Sequence, residues 1–252
     1  MMRALLACLL MLSISCSDDV VEESLSIEEI SLAQNHIIAH RGAWNRIDAP
    51  QNSIESLKKA LALNIYGTEF DVRQTKDGFF VINHDATYNG FEIAKSTFQE
   101  LNQYTLSNGE RLPLLEDFLE IKKNTSSNVR LIVELKQVNV DKLVDLIDQY
   151  ELQEQVEYIS FTKSYCEQLV QKGYGFKTYF LGGNMTPSDI KELGIGGINY
   201  NHSVFKNNPD YIDVAKVNGL KVLVWTVNDR NLIMDYISKG VIVTTDYPEY
   251  FK

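Results

Sequence analysis

Four short clusters in this 252-residue chain carry residue types that could do chemistry: His40-Arg41-Gly42, Glu69-Phe70-Asp71, His84-Asp85 and Glu134-Leu135-Lys136. Side chains two apart on a strand share a face, so Glu69 and Asp71 point together, as do Glu134 and Lys136. Two carboxylates facing one way repel each other unless a cation or a proton lies between them. With Glu134 added from the neighbouring strand, the set offers three oxygen ligands, which suits a hard cation such as Ca²⁺ or Mg²⁺. Zinc is disfavoured, because neither a cysteine cluster nor HExxH spacing is present. Taken singly these clusters are weak. A lone Glu-x-Asp usually faces solvent, and His36 and His202 read as a surface residue and a loop hydrogen-bonder. The functional reading rests on all four clusters falling at strand ends, in order.

The elements that must position them follow from patterning. Short β-branched runs alternate with helical periodicity from Ile37 onward, the sign of βαβ units and a parallel sheet. Strands are predicted over residues 37–40, 68–74, 129–136, 158–161, 177–181, 197–200, 222–227 and 241–245. Residues 79–83 follow an Asp77-Gly78 turn and read as a hairpin excursion. Ser53 caps a helix with Ile54, Leu57 and Leu61 on one face. Val140, Leu143, Val144 and Ile147 stripe another. Pro209 opens a helix that Gly219 closes, and a further helix runs over about 229–239. Without the hairpin strand, eight parallel strands remain, which predicts an α/β (β/α)8 TIM barrel with its chemistry at the carboxyl ends of the strands. A flavodoxin-like open sheet would have to discard strands. Residues 86–112 read as a polar insertion after the second strand.

The ordered motifs resemble the glycerophosphodiester phosphodiesterase family. They are His40-Arg41-Gly42, Pro50-Gln51-Asn52, Glu69-Phe70-Asp71, Thr75-Lys76-Asp77-Gly78 and His84-Asp85. Further on come Leu112-Pro113-Leu114-Leu115-Glu116, Glu134-Leu135-Lys136, Trp225-Thr226-Val227-Asn228 and Thr245-Asp246-Tyr247-Pro248. The resemblance implies His40 and His84 as the general acid–base pair. It implies Glu69, Asp71 and Glu134 as holders of one divalent cation, Arg41 and Lys136 on the phosphate, and Trp225 against the alcohol. The chemistry agrees: a metal neutralises charge on a phosphodiester, two histidines can move its protons near neutrality, and arginine suits bidentate phosphate contact.

The implied reaction is hydrolysis of a glycerophosphodiester to glycerol 3-phosphate and an alcohol. Intact lipid or an inositol phosphodiester would be a variant within the class, with the 86–112 insertion as the specificity element. One departure stands out. Gln51 occupies a position where the family commonly has Glu, which implies one fewer negative charge near the cation. That departure, with the tether described next, motivates the alternative of a surface lipoprotein that binds phosphodiester headgroups without turnover.

Composition bounds the rest. The chain is 44% apolar with a formal charge of −10, so it lacks the basic footprint of a nucleic-acid binder. Arg3 is followed by an apolar run over residues 4–14, too short to span a bilayer, since that needs roughly 20 residues. Residues 1–15 therefore read as a signal peptide. Cys16 directly follows small residues and resembles a lipoprotein processing site, which predicts a membrane anchor through lipid on Cys16. Residues 16–35 would be an acidic tether and residues 36–252 the phosphodiesterase domain. The expected location is the periplasm or the cell surface. Cys166, left without a disulfide partner, reads as an apolar filler in a helix.

Overall fold

The computed structural model describes residues 26–44 and 49–252. Its strands, in chain order, are β1 (Ile37–Ala39), β2 (Gly67–Gln74), β3 (Phe80–Ile82), β4 (Thr87–Tyr88), β5 (Phe91–Glu92), β6 (Arg130–Gln137), β7 (Val156–Ser160), β8 (Thr178–Phe180), β9 (Gly197–Asn201), β10 (Lys221–Trp225) and β11 (Ile242–Thr245). Eight of them are parallel and close on themselves, running β1-β2-β6-β7-β8-β9-β10-β11 with β11 paired back to β1. Helices wrap the outside, so the predicted (β/α)8 barrel is the fold. β3 lies antiparallel against the end of β2, as the Asp77-Gly78 turn implied.

Alternation along each strand divides the core. Inward positions form a layer of Ile38, Ile132, Ile159, Tyr179, Leu181, Leu223 and Ile242 that fills the barrel. Outward positions pack beneath the helices in a larger cluster. The helix Val140–Gln149 shows the logic: Asn139 caps it by accepting the Lys142 N–H at 3.0 Å, and Val140, Leu143, Val144 and Ile147 are its buried face. Truncating Leu143 to alanine would cost about 2–5 kcal/mol. At the amino-terminal end of the barrel, buried Glu157 accepts from Tyr66 Oη at 2.7 Å and lies 3.2 Å from Lys221 Nζ. This network occupies the end opposite the strand termini that bear the motifs.

Several expectations change. The stretch read as a tether contains a helix, Ile27–Gln34, with a Ser26/Glu29 capping box, and it packs on the helix Arg230–Ser238. Signals for it were present in Ser26 and Glu29, but acidic composition masked them. The insertion is a folded lobe: β4 pairs with β5, and Tyr88, Ile93, Leu101 and Leu112 join Val81 in an apolar cluster of their own. Glu110 ties this lobe to the barrel by accepting the Ile54 and Glu55 N–H groups at 2.7 and 3.2 Å, where a helix start favours negative charge. Pro209 does not open its helix. His202 begins a separate helix, His202–Asn207, and the next, Tyr211–Val217, starts beyond Pro209. The signal peptide and Cys16 lie outside the described residues.

Candidate active site

The carboxyl end of β1 turns sharply into the site. Arg41 has φ +54° and Gly42 φ +86°. A Cβ on Gly42 would sit 2.4 Å from Ser56 Oγ, so only glycine allows the helix Ile54–Leu61 to approach this closely. Ser56 and Asn52 hold the turn: the Ser56 hydroxyl and the Asn52 N–H both donate to the Arg41 carbonyl, at 3.2 and 2.9 Å. The Arg41 N–H in turn donates to Glu69 Oε2 at 2.8 Å.

Glu69, Asp71 and Glu134 converge as their strand register requires. Asp71 lies directly opposite Glu134 across β2 and β6, and Glu69 shares the inward face. One ligand oxygen from each lies within 4.8 Å of the others, and all three residues are buried. Asp71 accepts from Asn52 Nδ2 at 2.8 Å and lies 3.2 Å from Lys136 Nζ, which also reaches Glu134 Oε1 at 2.7 Å. Burial raises the Asp71 pKa, but Lys136, Asn52 and Arg41 outweigh it and hold the carboxyl below its ordinary range. Burial, then the charges of Asp71 and Glu134, push Glu69 well up. Burial and Asp71 push Glu134 up to about 7. Glu69 Oε1 is buried with no hydrogen-bond partner. An orphaned buried oxygen and two carboxyls driven toward protonation by a third are what a hard divalent cation would relieve. The residues present fit such an ion.

Both predicted histidines face the same cavity, of about 220 Å³. His40 Nδ1 is 2.7 Å from Asp246 Oδ1, and His84 Nδ1 is 2.8 Å from Asp85 Oδ1. With Nδ1 engaged on each ring, Nε2 is the nitrogen left for chemistry. Arg73 donates twice to the His84 carbonyl, from Nε at 3.0 Å and Nη2 at 2.7 Å, which fixes the backbone beneath that ring. Arg41, Glu69, Glu134 and Lys136 form the polar wall; Ile159, Phe161, Leu181 and Trp225 form the apolar one. Trp225 Nε1 donates to the Asn199 carbonyl at 2.9 Å, and its ring meets Phe161 edge-on at 5.6 Å.

Seven of the eight predicted residues line this cavity, and Asp71 lies buried at its base. Gln51 is exposed and accepts from Arg41 Nη1 at 2.6 Å. No lining residue comes from residues 86–112, so the cavity's walls owe nothing directly to that lobe. Five residues had no role in the sequence reading: Asn52, Arg73, Phe161, Asn228 and Asp246. Asn52, Asn228 and Asp246 stood inside recognised motifs, and Phe161 at a predicted strand end. Arg73 had no sequence signal beyond its place on β2.

The sequence profile of the glycerophosphoryl diester phosphodiesterase family matches residues 40–250. The glycerophosphodiester phosphodiesterase of Caldanaerobacter subterraneus is 29% identical over 234 residues, 84% of this chain and 94% of that protein. The crystal structure of a glycerophosphodiester phosphodiesterase from Parabacteroides distasonis superposes with a TM-score of 0.82 at 36% identity, over 87% of this chain and 95% of that one. A phosphodiesterase from Oleispira antarctica, solved with the product sn-glycerol-3-phosphate, shares the fold at 24% identity and a TM-score of 0.73, over 88% of this chain and 97% of that one.

Proposed function

As a member of the glycerophosphoryl diester phosphodiesterase family this chain is a glycerophosphodiester phosphodiesterase, and we propose that it hydrolyses glycerophosphodiesters to glycerol 3-phosphate and an alcohol, with His40 and His84 as the acid–base pair. The observation that carries this reading is the convergence of two anchored histidines, three buried carboxylates, Arg41 and Lys136 on one cavity. Glu69, Asp71 and Glu134 would hold one divalent cation, Ca²⁺ or Mg²⁺, which when bound would neutralise charge on the phosphoryl oxygens.

The chain's own residues supply the proton traffic and the grip. One histidine takes a proton from the attacking water as its oxygen bonds to phosphorus. The other gives a proton to the departing oxygen, which keeps the electron pair of the broken P–O bond. Arg41 offers a planar fork to two phosphate oxygens, and Lys136 brings a compact positive charge beside them. Trp225 and Phe161 give the carbon skeleton of the substrate an apolar wall. The product that the Oleispira antarctica protein binds is the product expected here. His40→Ala and His84→Ala test the pairing: each should lower turnover by about 10²-fold or more. Full turnover in both would end this account of the chemistry.

The apolar run before Cys16 supports a lipid-anchored form at the periplasmic or outer face of a membrane. Cys16→Ala should then move the protein from the membrane fraction to the soluble one. Retention in the membrane would count against the anchor.

A further inference from the structure

The acid–base reading leaves Asp246 without a role, yet its carboxylate is fixed at both oxygens. Oδ1 lies 2.7 Å from His40 Nδ1, with both side chains only 21% exposed. Oδ2 accepts from Asn228 Nδ2 at 2.8 Å. Asn228 Oδ1 then accepts the Asp246 N–H at 2.9 Å and the Thr245 hydroxyl at 3.1 Å, which locks the amide to the end of β11. His84 is held differently. Its partner Asp85 is the next residue in the chain and is 76% exposed, and ion pairs in water fix little.

We propose that Asp246 is the positioning residue of His40: it keeps the proton on Nδ1 and so presents Nε2 to the reacting oxygen. The inference rests on the hydrolytic reading above. In either direction of catalysis a single proton passes between Nε2 and an oxygen bound to phosphorus. The Nδ1 proton stays between the ring and the carboxylate, which remains ionised throughout. The surroundings of Asp246 suit that duty. Burial would raise its pKa, but the hydrogen bonds from His40 and Asn228 hold it below the ordinary range. A carboxylate here can only accept from Nδ1, whereas an amide could also donate and shift the ring to the wrong tautomer.

Asp246→Asn in the full chain separates this role from a merely structural brace. Its kcat should fall by about 10²-fold, with KM changed less than about threefold. The second readout is the ratio of rates for a p-nitrophenyl diester, whose leaving group needs no proton, and an alkyl diester. That ratio should move as it does in His40→Ala and unlike His84→Ala. ¹⁵N NMR of the ring should show His40 protonated on Nδ1 in the native chain and that state lost in the variant. Asn228→Ala keeps the carboxylate but loosens it, and should give a smaller loss with the same leaving-group pattern; it stands in should Asp246→Asn fail to fold. Native kcat in both variants, a leaving-group ratio that differs from that of His40→Ala, or an unchanged tautomer would overturn the proposal. If the native chain turned over no glycerophosphodiester, the hydrolytic reading would fall instead, and the tautomer measurement, which needs no substrate, would still decide Asp246.

Discussion

Arg41 Nη1 donates to Gln51 Oε1 at 2.6 Å, which places the side chain at position 51 on the guanidinium. Residue 51 therefore bears on how the Arg41 guanidinium is held. Arg41 Nε also lies 3.5 Å from Asp71 Oδ2, so one guanidinium links the rim of the site to its base.

Gln51→Glu should leave divalent-cation affinity within about threefold of native, because position 51 is exposed and a carboxylate there would be paired to Arg41. The added charge competes with phosphate for Arg41, so KM should rise a few-fold with kcat retained. Titration calorimetry with Ca²⁺ and Mg²⁺, run beside steady-state kinetics, checks both. Cation binding at least tenfold tighter in the variant would show that residue 51 reaches the ion.

The carboxylate group gives the metal-free protein a pH dependence of definite sign. Glu134 titrates near 4.5 when unfolded and is pushed up to about 7 in the fold. The folded state therefore binds more protons across that interval, and stability falls as pH rises through it. Thermal melts in EDTA should show Tm decreasing from about pH 5 to pH 7.5, and Ca²⁺ or Mg²⁺ should restore the loss at the upper end. A Tm that rises over this range without metal would mean the carboxyls are not under the mutual repulsion described.

Gly42→Ala tests the turn that carries Arg41. A positive φ and a Cβ at 2.4 Å from Ser56 Oγ both oppose the change, and the cost should be about 1–3 kcal/mol. Activity should drop along with stability, since His40 and Arg41 lie on the same turn. Chemical denaturation with a parallel assay measures both; native stability would show that the helix Ile54–Leu61 can retreat.

Phe161→Ala removes one half of the aromatic wall at little expense to the fold, because the ring is 48% exposed. Its edge-on contact with Trp225 is worth about 0.5–1.5 kcal/mol. KM should rise roughly three- to tenfold with kcat nearly native. A selective loss of kcat would instead place Phe161 in the chemistry.

The barrel and the converging motifs were legible because both depend on short-range rules. Alternation on β2 puts Glu69 and Asp71 on one face, and the position of Glu134 on β6 brings it opposite Asp71. Three things were less legible. The helix Ile27–Gln34 was hidden by acidic composition, although its capping box is explicit in Ser26 and Glu29. The cluster made by Tyr88, Ile93, Leu101 and Leu112 depends on contacts across a polar-looking stretch. Asp246 meets His40 from 206 residues away, a contact created only when β11 closes the barrel against β1. Closure also explains why Asn228 could not be assigned from its own segment.

The most direct test of the central claim is release of glycerol 3-phosphate by the purified domain lacking residues 1–16. It would be offered a panel of glycerophosphodiesters in Ca²⁺, Mg²⁺ or EDTA. The account expects product that EDTA abolishes and at least one of the two cations restores, with the restoration lost in Asp71→Asn. Undiminished release in EDTA, or none from a folded and cation-loaded domain across the panel, would contradict it.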